Sequence, residues 1–114
     1  MNESDRALCW ERLAVAADVA DESALHVDVD GIAICLARSR GRLHAIVDIC
    51  THQAVPLSEG EVADGAIECY LHGSRFDLET GRALGPPATK AVRTFPVRID
   101  GDRVHVGLPH PPET

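Results

Sequence analysis

The stretch of sequence that decides the fold covers residues 50–73 and reads CTHQAVPLSEGEVADGAIECYLHG. It begins and ends with a short Cys–His pair, Cys50 with His52 and Cys69 with His72, and sixteen residues separate the two pairs. Thiolate and imidazole are the ligands that zinc and iron–sulfur centres use in proteins. Four such ligands in two short clips therefore predict a metal site.

The spacing of the four residues bears on which metal they bind. Zinc accepts two Cys and two His, but its clips usually leave two or more residues between ligands, whereas one residue separates Cys50 from His52. A binuclear iron–sulfur cluster fits this spacing better, with both cysteines on one iron and both histidines on the other. Structural zinc remains an alternative, and a catalytic dyad of Cys69 and His72 would need an orienting third group that the sequence does not indicate.

Alternating apolar residues outside the stretch predict an all-β fold. Residues 25–29, 32–37 and 43–49 have the pattern of a three-strand meander with turns at Asp30-Gly31 and at residues 39–41. Each Cys–His pair follows a strand-like run, at residues 43–49 and 66–68, so the pairs can lie together at one end of a sheet. This arrangement would bring all four ligands to one place.

A second hairpin is predicted near the carboxyl terminus. Residues 92–99 would place Phe95, Val97 and Ile99 on one face, and residues 103–108 would form the partner strand. From residue 50 to about residue 87, glycines separate short apolar pieces, so we expect loops to dominate there. Residues 1–8 and the tail after Leu108 show no periodicity and are expected to lack a partner.

Length and charge limit the kinds of function. The 114 residues leave room for one domain, 1–114, and one core. Eleven Lys and Arg against eighteen Asp and Glu give a formal net charge of −7. This charge disfavours nucleic acid and an anionic membrane surface as partners.

The beginning of the chain and its four cysteines indicate the compartment. The first residues are polar and acidic, and no apolar run reaches the length of a spanning helix, so we expect a cytoplasmic protein. Because the cytosol is reducing, metal binding is a better use for a cysteine pair there than a disulfide. Cys35 lies in an apolar run and is predicted to be a core residue, not a ligand.

The complete pattern, C-x-H, sixteen residues, C-x-x-H and then Gly73-Ser74-x-Phe76-Asp77, resembles the Rieske [2Fe–2S] family. The segment Gly85-Pro86-Pro87 resembles the proline loop of that family. The resemblance implies a Rieske-type fold of antiparallel β-sheets, in which a loop-rich cluster-binding subdomain of about residues 49–88 is inserted in a basal β domain and holds one [2Fe–2S] cluster. It also implies the ligand set, in which Cys50 and Cys69 bind the inner iron and His52 and His72 bind the outer iron.

Departures from the respiratory-chain members of the family indicate a branch. Those proteins carry one further cysteine in each cluster loop, where this chain has Val55 and Leu71, and a tyrosine where it has Phe76. They also carry an N-terminal membrane helix, which we do not expect here. The chain is instead similar to the ferredoxin components of bacterial aromatic-ring-hydroxylating dioxygenase systems. The missing tyrosine hydroxyl, a hydrogen-bond donor to the cluster, predicts a lower reduction potential.

This resemblance implies an electron carrier and not an enzyme. The carrier would accept one electron from an NAD(P)H-dependent flavoprotein ferredoxin reductase and pass it to a terminal oxygenase. Two neutral imidazoles in place of two thiolates make the oxidised cluster neutral, and a less negative cluster is easier to reduce. Two alternatives remain: the small Rieske-like subunit of an assimilatory nitrite reductase, and a zinc-stapled interaction domain with no redox role.

Overall fold

The computed structural model of the chain describes residues 8–15, 19–29, 31–51, 54–71, 73–101 and 103–109. These residues form ten β-strands and one 3₁₀ turn, Leu57–Glu59, and no α-helix. The strands are β1 (Leu8–Val15), β2 (Ser23–Val29), β3 (Ile32–Ser39), β4 (Arg42–Val47), β5 (Glu61–Ala63), β6 (Ala66–Glu68), β7 (Arg75–Asp77), β8 (Thr94–Phe95), β9 (Val97–Asp100) and β10 (Arg103–Pro109). All strand pairs are antiparallel, so the predicted all-β class is confirmed.

A four-stranded sheet in the order β2-β3-β4-β8 contributes side chains to two core clusters. Because successive side chains of a strand point to opposite faces, β3 contributes to two separate cores. Ile34 and Leu36 pack with residues of the sheet β1-β10-β9, and we call this cluster the basal core. Cys35 and Ala37 pack with residues of the sheet β5-β6-β7 and of the loops beside it, and we call this cluster the loop-side core.

The two cores differ in their buried members. The basal core contains Val19, Val29, Ile34, Leu36, Ala45, Phe95, Val104, Val106 and Leu108. The loop-side core contains Cys35, Ala37, Ile46, Cys50, Leu57, Val62, Ile67, Cys69, Phe76, Leu78, Ala88 and Val92. Both predicted cysteine ligands thus belong to one core, on the side of the central sheet that faces the small sheet.

The predicted meander is present as β2, β3 and β4. Its second turn has Arg40 and Gly41 at φ values of 54° and 76°, and two consecutive positive values match the twist of a two-residue hairpin. In the first turn Gly31 has φ 80°, while Asp30 lies outside the described residues. Regular turns of this kind fix the register in which β3 presents its side chains to the two cores.

The prediction of one strand over residues 92–99 is wrong. The chain changes sheets there, because β8 pairs with β4 whereas β9 pairs with β10. Pro96 lies at the break, and proline has no N–H to donate to a ladder. Phe95 is therefore buried, whereas Ile99, on the strand of the other sheet, is 50% exposed.

Two further strand groups depart from the sequence prediction. Leu8 pairs with Pro109 in the β1–β10 ladder, so the expectation that these two ends lack a partner is wrong at both residues. The region where loops were expected to dominate contains the sheet β5-β6-β7. The strand-like run at residues 66–68 is its middle strand, whereas β5 and β7, with three residues each, are too short for alternation to be recognised. Residues 1–7 and 110–114 lie outside the described part. No helix among the described residues is long and apolar enough to cross a membrane.

Candidate metal centre

The first predicted cysteine ligand lies just beyond the end of β4. Cys50 is 3% exposed, and its backbone N–H donates to the carbonyl of Val55 over 3.0 Å. This bond closes residues 50–55 into a loop, and the buried sulfur belongs to the loop-side core. The other predicted ligand of this loop, His52, lies outside the described residues.

The second cysteine ligand is held in a closely similar loop. Cys69 directly follows β6, is 1% exposed, and donates its backbone N–H to the carbonyl of Ser74 over 2.7 Å. Gly73 donates in turn to the carbonyl of Cys69 over 3.0 Å, at a φ of 78° that favours glycine. In both loops the cysteine N–H therefore bonds to the carbonyl five residues further along. His72 lies outside the described residues.

One later segment of the chain is tied to both loops. The Thr51 hydroxyl of the first loop donates to the carbonyl of Lys90 over 2.7 Å. The Ser74 hydroxyl of the second loop accepts the backbone N–H of Ala88 over 3.2 Å, at a fully buried position. Residues 88–90 thus hold the loops on the same side of the core. The Gly85-Pro86-Pro87 segment, with a cis bond between its prolines, precedes them.

A tight turn supports the second loop from behind. Asp77, the last residue of β7, accepts the backbone N–H groups of Glu79 and Thr80 with one carboxylate oxygen, over 2.8 and 2.9 Å. The Thr80 hydrogen bond, with that of Glu79, lowers the pKa of Asp77. Gly81 follows at φ 79°, where an added Cβ would lie 2.2 Å from the carbonyl oxygen of Val92. Only glycine allows this approach of the two segments.

A buried carboxylate closes the base of the first loop. Asp48 is 2% exposed, and its oxygens accept the backbone N–H and the hydroxyl of Ser58, each over 2.6 Å. His26 Nδ1, on β2, lies 2.5 Å from Asp48 Oδ2, and His26 Nε2 lies 3.1 Å from Asp28 Oδ1. These two carboxylates, Asp48 first, raise the pKa of His26. Sequence reasoning missed this network, since no local spacing relates residues 26, 48 and 58.

The donor set fits the predicted cluster as far as the structure describes it. Two buried cysteines begin two matched loops and share one core, as a pair of thiolates on one iron requires. Among the described residues no group of three or more His, Cys, Asp and Glu gathers around a metal position, and of the four predicted ligands that part includes only Cys50 and Cys69. The assignment of all four ligands stays a prediction.

Cys35 is a third buried cysteine of the same core, and it is chemically different. It lies within β3, not in a loop, and is 0% exposed. Burial raises the pKa of the Cys35 thiol far above its ordinary value, so the thiolate that a metal needs is disfavoured. Its position agrees with the predicted core role.

Apolar side chains stand in solvent around the second loop. Tyr70 and Leu71, between Cys69 and the predicted ligand His72, are 53% and 43% exposed. Leu84 and Ile49 are also about half exposed.

Comparison with known proteins agrees with this geometry. The sequence profile described as Rieske [2Fe-2S] domain matches residues 9–96. The ferredoxin component of the naphthalene 1,2-dioxygenase system of Pseudomonas aeruginosa is 37% identical over 99 residues, which are 87% of this chain and 95% of the relative.

Two solved structures are similar in fold as well as in sequence. The ferredoxin of carbazole 1,9a-dioxygenase from Nocardioides aromaticivorans IC177 superimposes with a TM-score of 0.79 at 31% identity, covering 85% of this chain and 95% of that one. A chain of the complex of reduced oxygenase and oxidized ferredoxin in carbazole 1,9a-dioxygenase gives a TM-score of 0.83 at 28% identity, over 91% of this chain and 97% of that one.

Proposed function

We propose, from the premise that this chain belongs to the Rieske [2Fe–2S] domain family, that it is the ferredoxin component of an aromatic-ring dioxygenase system. The observation that carries the proposal is the 37% identity to a naphthalene dioxygenase ferredoxin component over 87% of this chain. The protein carries one [2Fe–2S] cluster and transfers single electrons, without binding the aromatic substrate. It is an electron-transfer component and not the catalytic enzyme of the system.

We propose that Cys50 and Cys69 bind the inner iron and that His52 and His72 bind the outer iron. The matched closure of the two loops and the burial of both sulfurs support the cysteine half of this set. The spacing of the sequence supports the histidine half. We also propose that the domain has two parts. About residues 49–88 form a cluster-binding subdomain, which is inserted in a basal β domain and supported by the loop-side core.

The described residues shape the surroundings of the cluster. When bound, the cluster supplies one-electron chemistry. The loop-side core shields both cysteines from solvent, because they are 3% and 1% exposed and pack in one cluster with the fully buried Leu57 and Phe76. The half-exposed Tyr70 and Leu71 offer an apolar contact area beside the second loop, where a partner has to approach. Short-lived docking of this kind suits a carrier that must leave each partner after one electron.

We propose two protein partners in the cytoplasm. A terminal oxygenase accepts the electron, and the ferredoxin–oxygenase complex of the carbazole system, whose ferredoxin has this fold, supports that assignment. An NAD(P)H-dependent flavoprotein reductase supplies the electron, because a one-electron carrier needs a donor that splits the hydride pair of a nicotinamide. A cytoplasmic location is consistent with cysteines kept as thiolates for the metal.

The two alternatives from the sequence receive less support. The relatives reported above are components of dioxygenase systems, which favours the ferredoxin over a subunit of a nitrite reductase. The family match at residues 9–96 favours an iron–sulfur cluster over a zinc staple.

A reconstituted electron-transfer chain tests the proposal. Purified chain with its cluster is mixed with NADH, naphthalene, and the reductase and terminal oxygenase of a naphthalene dioxygenase system. The expected result is formation of the cis-dihydrodiol that saturates with the concentration of the chain. The matched control is the Cys69→Ala variant, which should give no product. Failure of the wild-type cluster to be reduced by the reductase, or to be reoxidised by the oxygenase, would overturn the proposal.

A further inference from the structure

Asp48 places a buried carboxylate at the base of the first loop, close in sequence to the proposed ligand Cys50. The Asp48 side chain is 0% exposed and stands two residues before Cys50. Two residues of chain span at most about 7 Å, so the Cα atoms of Asp48 and Cys50 lie within that distance. Burying a charge is costly unless it is paired and hydrogen-bonded, so a buried Asp needs specific partners.

Asp48 has such partners on three elements. Its backbone N–H donates to the carbonyl of Ala33 on β3 over 2.9 Å. One carboxylate oxygen accepts the Ser58 backbone N–H, and the other accepts the Ser58 hydroxyl. That second oxygen also contacts His26 on β2. Hydrogen bonds to a charged group are stronger than those between neutral groups, so this one side chain fixes its surroundings firmly.

The contacts connect the two ends of the first loop. Asp48 lies before the loop and Ser58 lies after it, so the hydrogen bonds between them join the two ends of the segment that contains Cys50. Between these two residues, the Cys50–Val55 backbone bond closes the loop a second time. A shift of Asp48 would therefore move the beginning and the end of the loop together.

We propose that Asp48 is a positioning residue for the cluster: its carboxylate, held by Ser58 and His26, fixes the first ligand loop and lowers the reduction potential. This inference rests on the proposed function, because it requires the cluster. Reduction adds one negative charge to the cluster, and a carboxylate nearby opposes that addition. The Cα atoms of Asp48 and of the proposed ligand Cys50 lie within about 7 Å of each other, which is less than the Debye length of about 8 Å at physiological salt, and a buried charge is screened even less.

Redox titration of three variants tests the inference. Asp48→Asn keeps the shape of the side chain and removes its charge, so at the wild-type midpoint its ratio of reduced to oxidised cluster should rise about threefold or more. Ser58→Ala keeps the charge of Asp48 and removes the hydroxyl that donates to its carboxylate, so the cluster should be lost several times faster on dilution into chelator. Glu59→Gln is the matched control, because this exposed neighbour of Ser58 loses an equal charge to solvent, and both quantities should stay unchanged.

The outcomes separate the inference from the proposed function. Wild-type protein without the rhombic signal of a reduced Rieske cluster would overturn both. A wild-type signal with an unchanged midpoint in Asp48→Asn would overturn the inference alone, as would unchanged cluster loss in Ser58→Ala. Should Asp48→Asn fail to hold the cluster, His26→Gln measured at pH 6 replaces it. Loss of the positive partner of Asp48 should then lower the ratio of reduced to oxidised cluster, and an unchanged ratio would contradict the role of the pair.

Discussion

The two loops that carry the cysteines close in the same way but are anchored by different chemistry. The first loop is anchored by a buried carboxylate, Asp48, with a histidine and a serine as partners. The second loop is held by the backbone bonds of Cys69 and by the hydroxyl of Ser74, which are neutral, while the Asp77 carboxylate orders the turn behind it. Charged anchors respond to pH and to charge on the cluster, whereas neutral anchors do not. The comparison teaches that similar backbone loops can be tuned separately.

Removal of a ligand cysteine should have the largest effect, in either loop. We expect Cys50→Ala and Cys69→Ala to lose the cluster completely, because a thiolate ligand has no substitute in the buried core. Iron and acid-labile sulfide counted on the purified variants check this. The matched control is Cys35→Ala, a buried cysteine of the same core, which should retain full iron and sulfide. Full occupancy in Cys69→Ala would contradict the assignment.

A substitution at the contact between the loops should have the next largest effect. Gly60 follows the first loop, and an added Cβ would lie 1.8 Å from the carbonyl oxygen of Glu68, the residue before Cys69. Because backbone has to move, we expect Gly60→Ala to lower the free energy of unfolding by about 2–4 kcal/mol. Gly85→Ala, where no atom lies within 4 Å of the added Cβ, should change it by less than about 1 kcal/mol. Chemical denaturation of both proteins measures the difference, and equal stabilities would show that the loops do not meet there.

The neutral anchor of the second loop should have a smaller effect that does not depend on pH. Ser74→Ala leaves the buried N–H of Ala88 without its acceptor, which should cost about 1–3 kcal/mol of unfolding free energy. Denaturation at pH 6 and pH 8 should give the same loss. Ser23→Ala, which removes a hydrogen bond at an exposed position, should cost less than about 0.5 kcal/mol. A loss in Ser74→Ala that changed with pH would break the distinction between the two loops.

Two histidines should give the smallest effects, with opposite signs. The pKa of His26 is raised from 6.5 by Asp48 and then Asp28, so its stabilisation is complete below pH 6.5 and is lost as pH rises through the raised value. The pKa of His44 is lowered from 6.5, chiefly by burial, so its unfolded form binds protons more readily and stability falls as pH drops below 6.5.

Unfolding free energies of His26→Gln and His44→Gln, measured against wild type from pH 5 to pH 8, check these signs. The advantage of wild type over His26→Gln should shrink as pH rises. The advantage of wild type over His44→Gln should grow over the same range. An advantage over His26→Gln that did not shrink as pH rises would show that the charged anchor of the first loop is not formed in solution.

Much of the fold could be predicted where the pattern is long and regular. The meander β2-β3-β4 was predictable because its strands have six to eight residues and its turns contain glycine. The run at residues 66–68 was predicted and forms β6, but β5 and β7 were missed because three residues carry no period. The break at Pro96 was missed because apolar alternation continues through it. Strand β1 was missed because its ladder partner, β10, is nearly a hundred residues away.

For the candidate site, the sequence indicates the proposed ligands but not the residues that support them. Cys50 and Cys69 stand out because their spacing to a histidine is local. Asp48, His26 and Ser58 meet only after β2 and β4 have found their places in one sheet, so no short motif could indicate them. The same is true of the hydrogen bond from the Thr51 hydroxyl to the Lys90 carbonyl, because these residues are 39 positions apart in the sequence.

The most direct test of the central claim, that the two loops hold one cluster by two cysteines and two histidines, is nitrogen ENDOR on the dithionite-reduced protein. The protein is prepared with ¹⁵N-labelled histidine, beside His52→Ala and His72→Ala variants. The account predicts a rhombic EPR signal averaging below the free-electron value, with two strongly coupled histidine nitrogens in wild type. It also predicts the loss of this signal in both variants. A reduced signal without ¹⁵N-histidine coupling, or one unchanged in either variant, would contradict it.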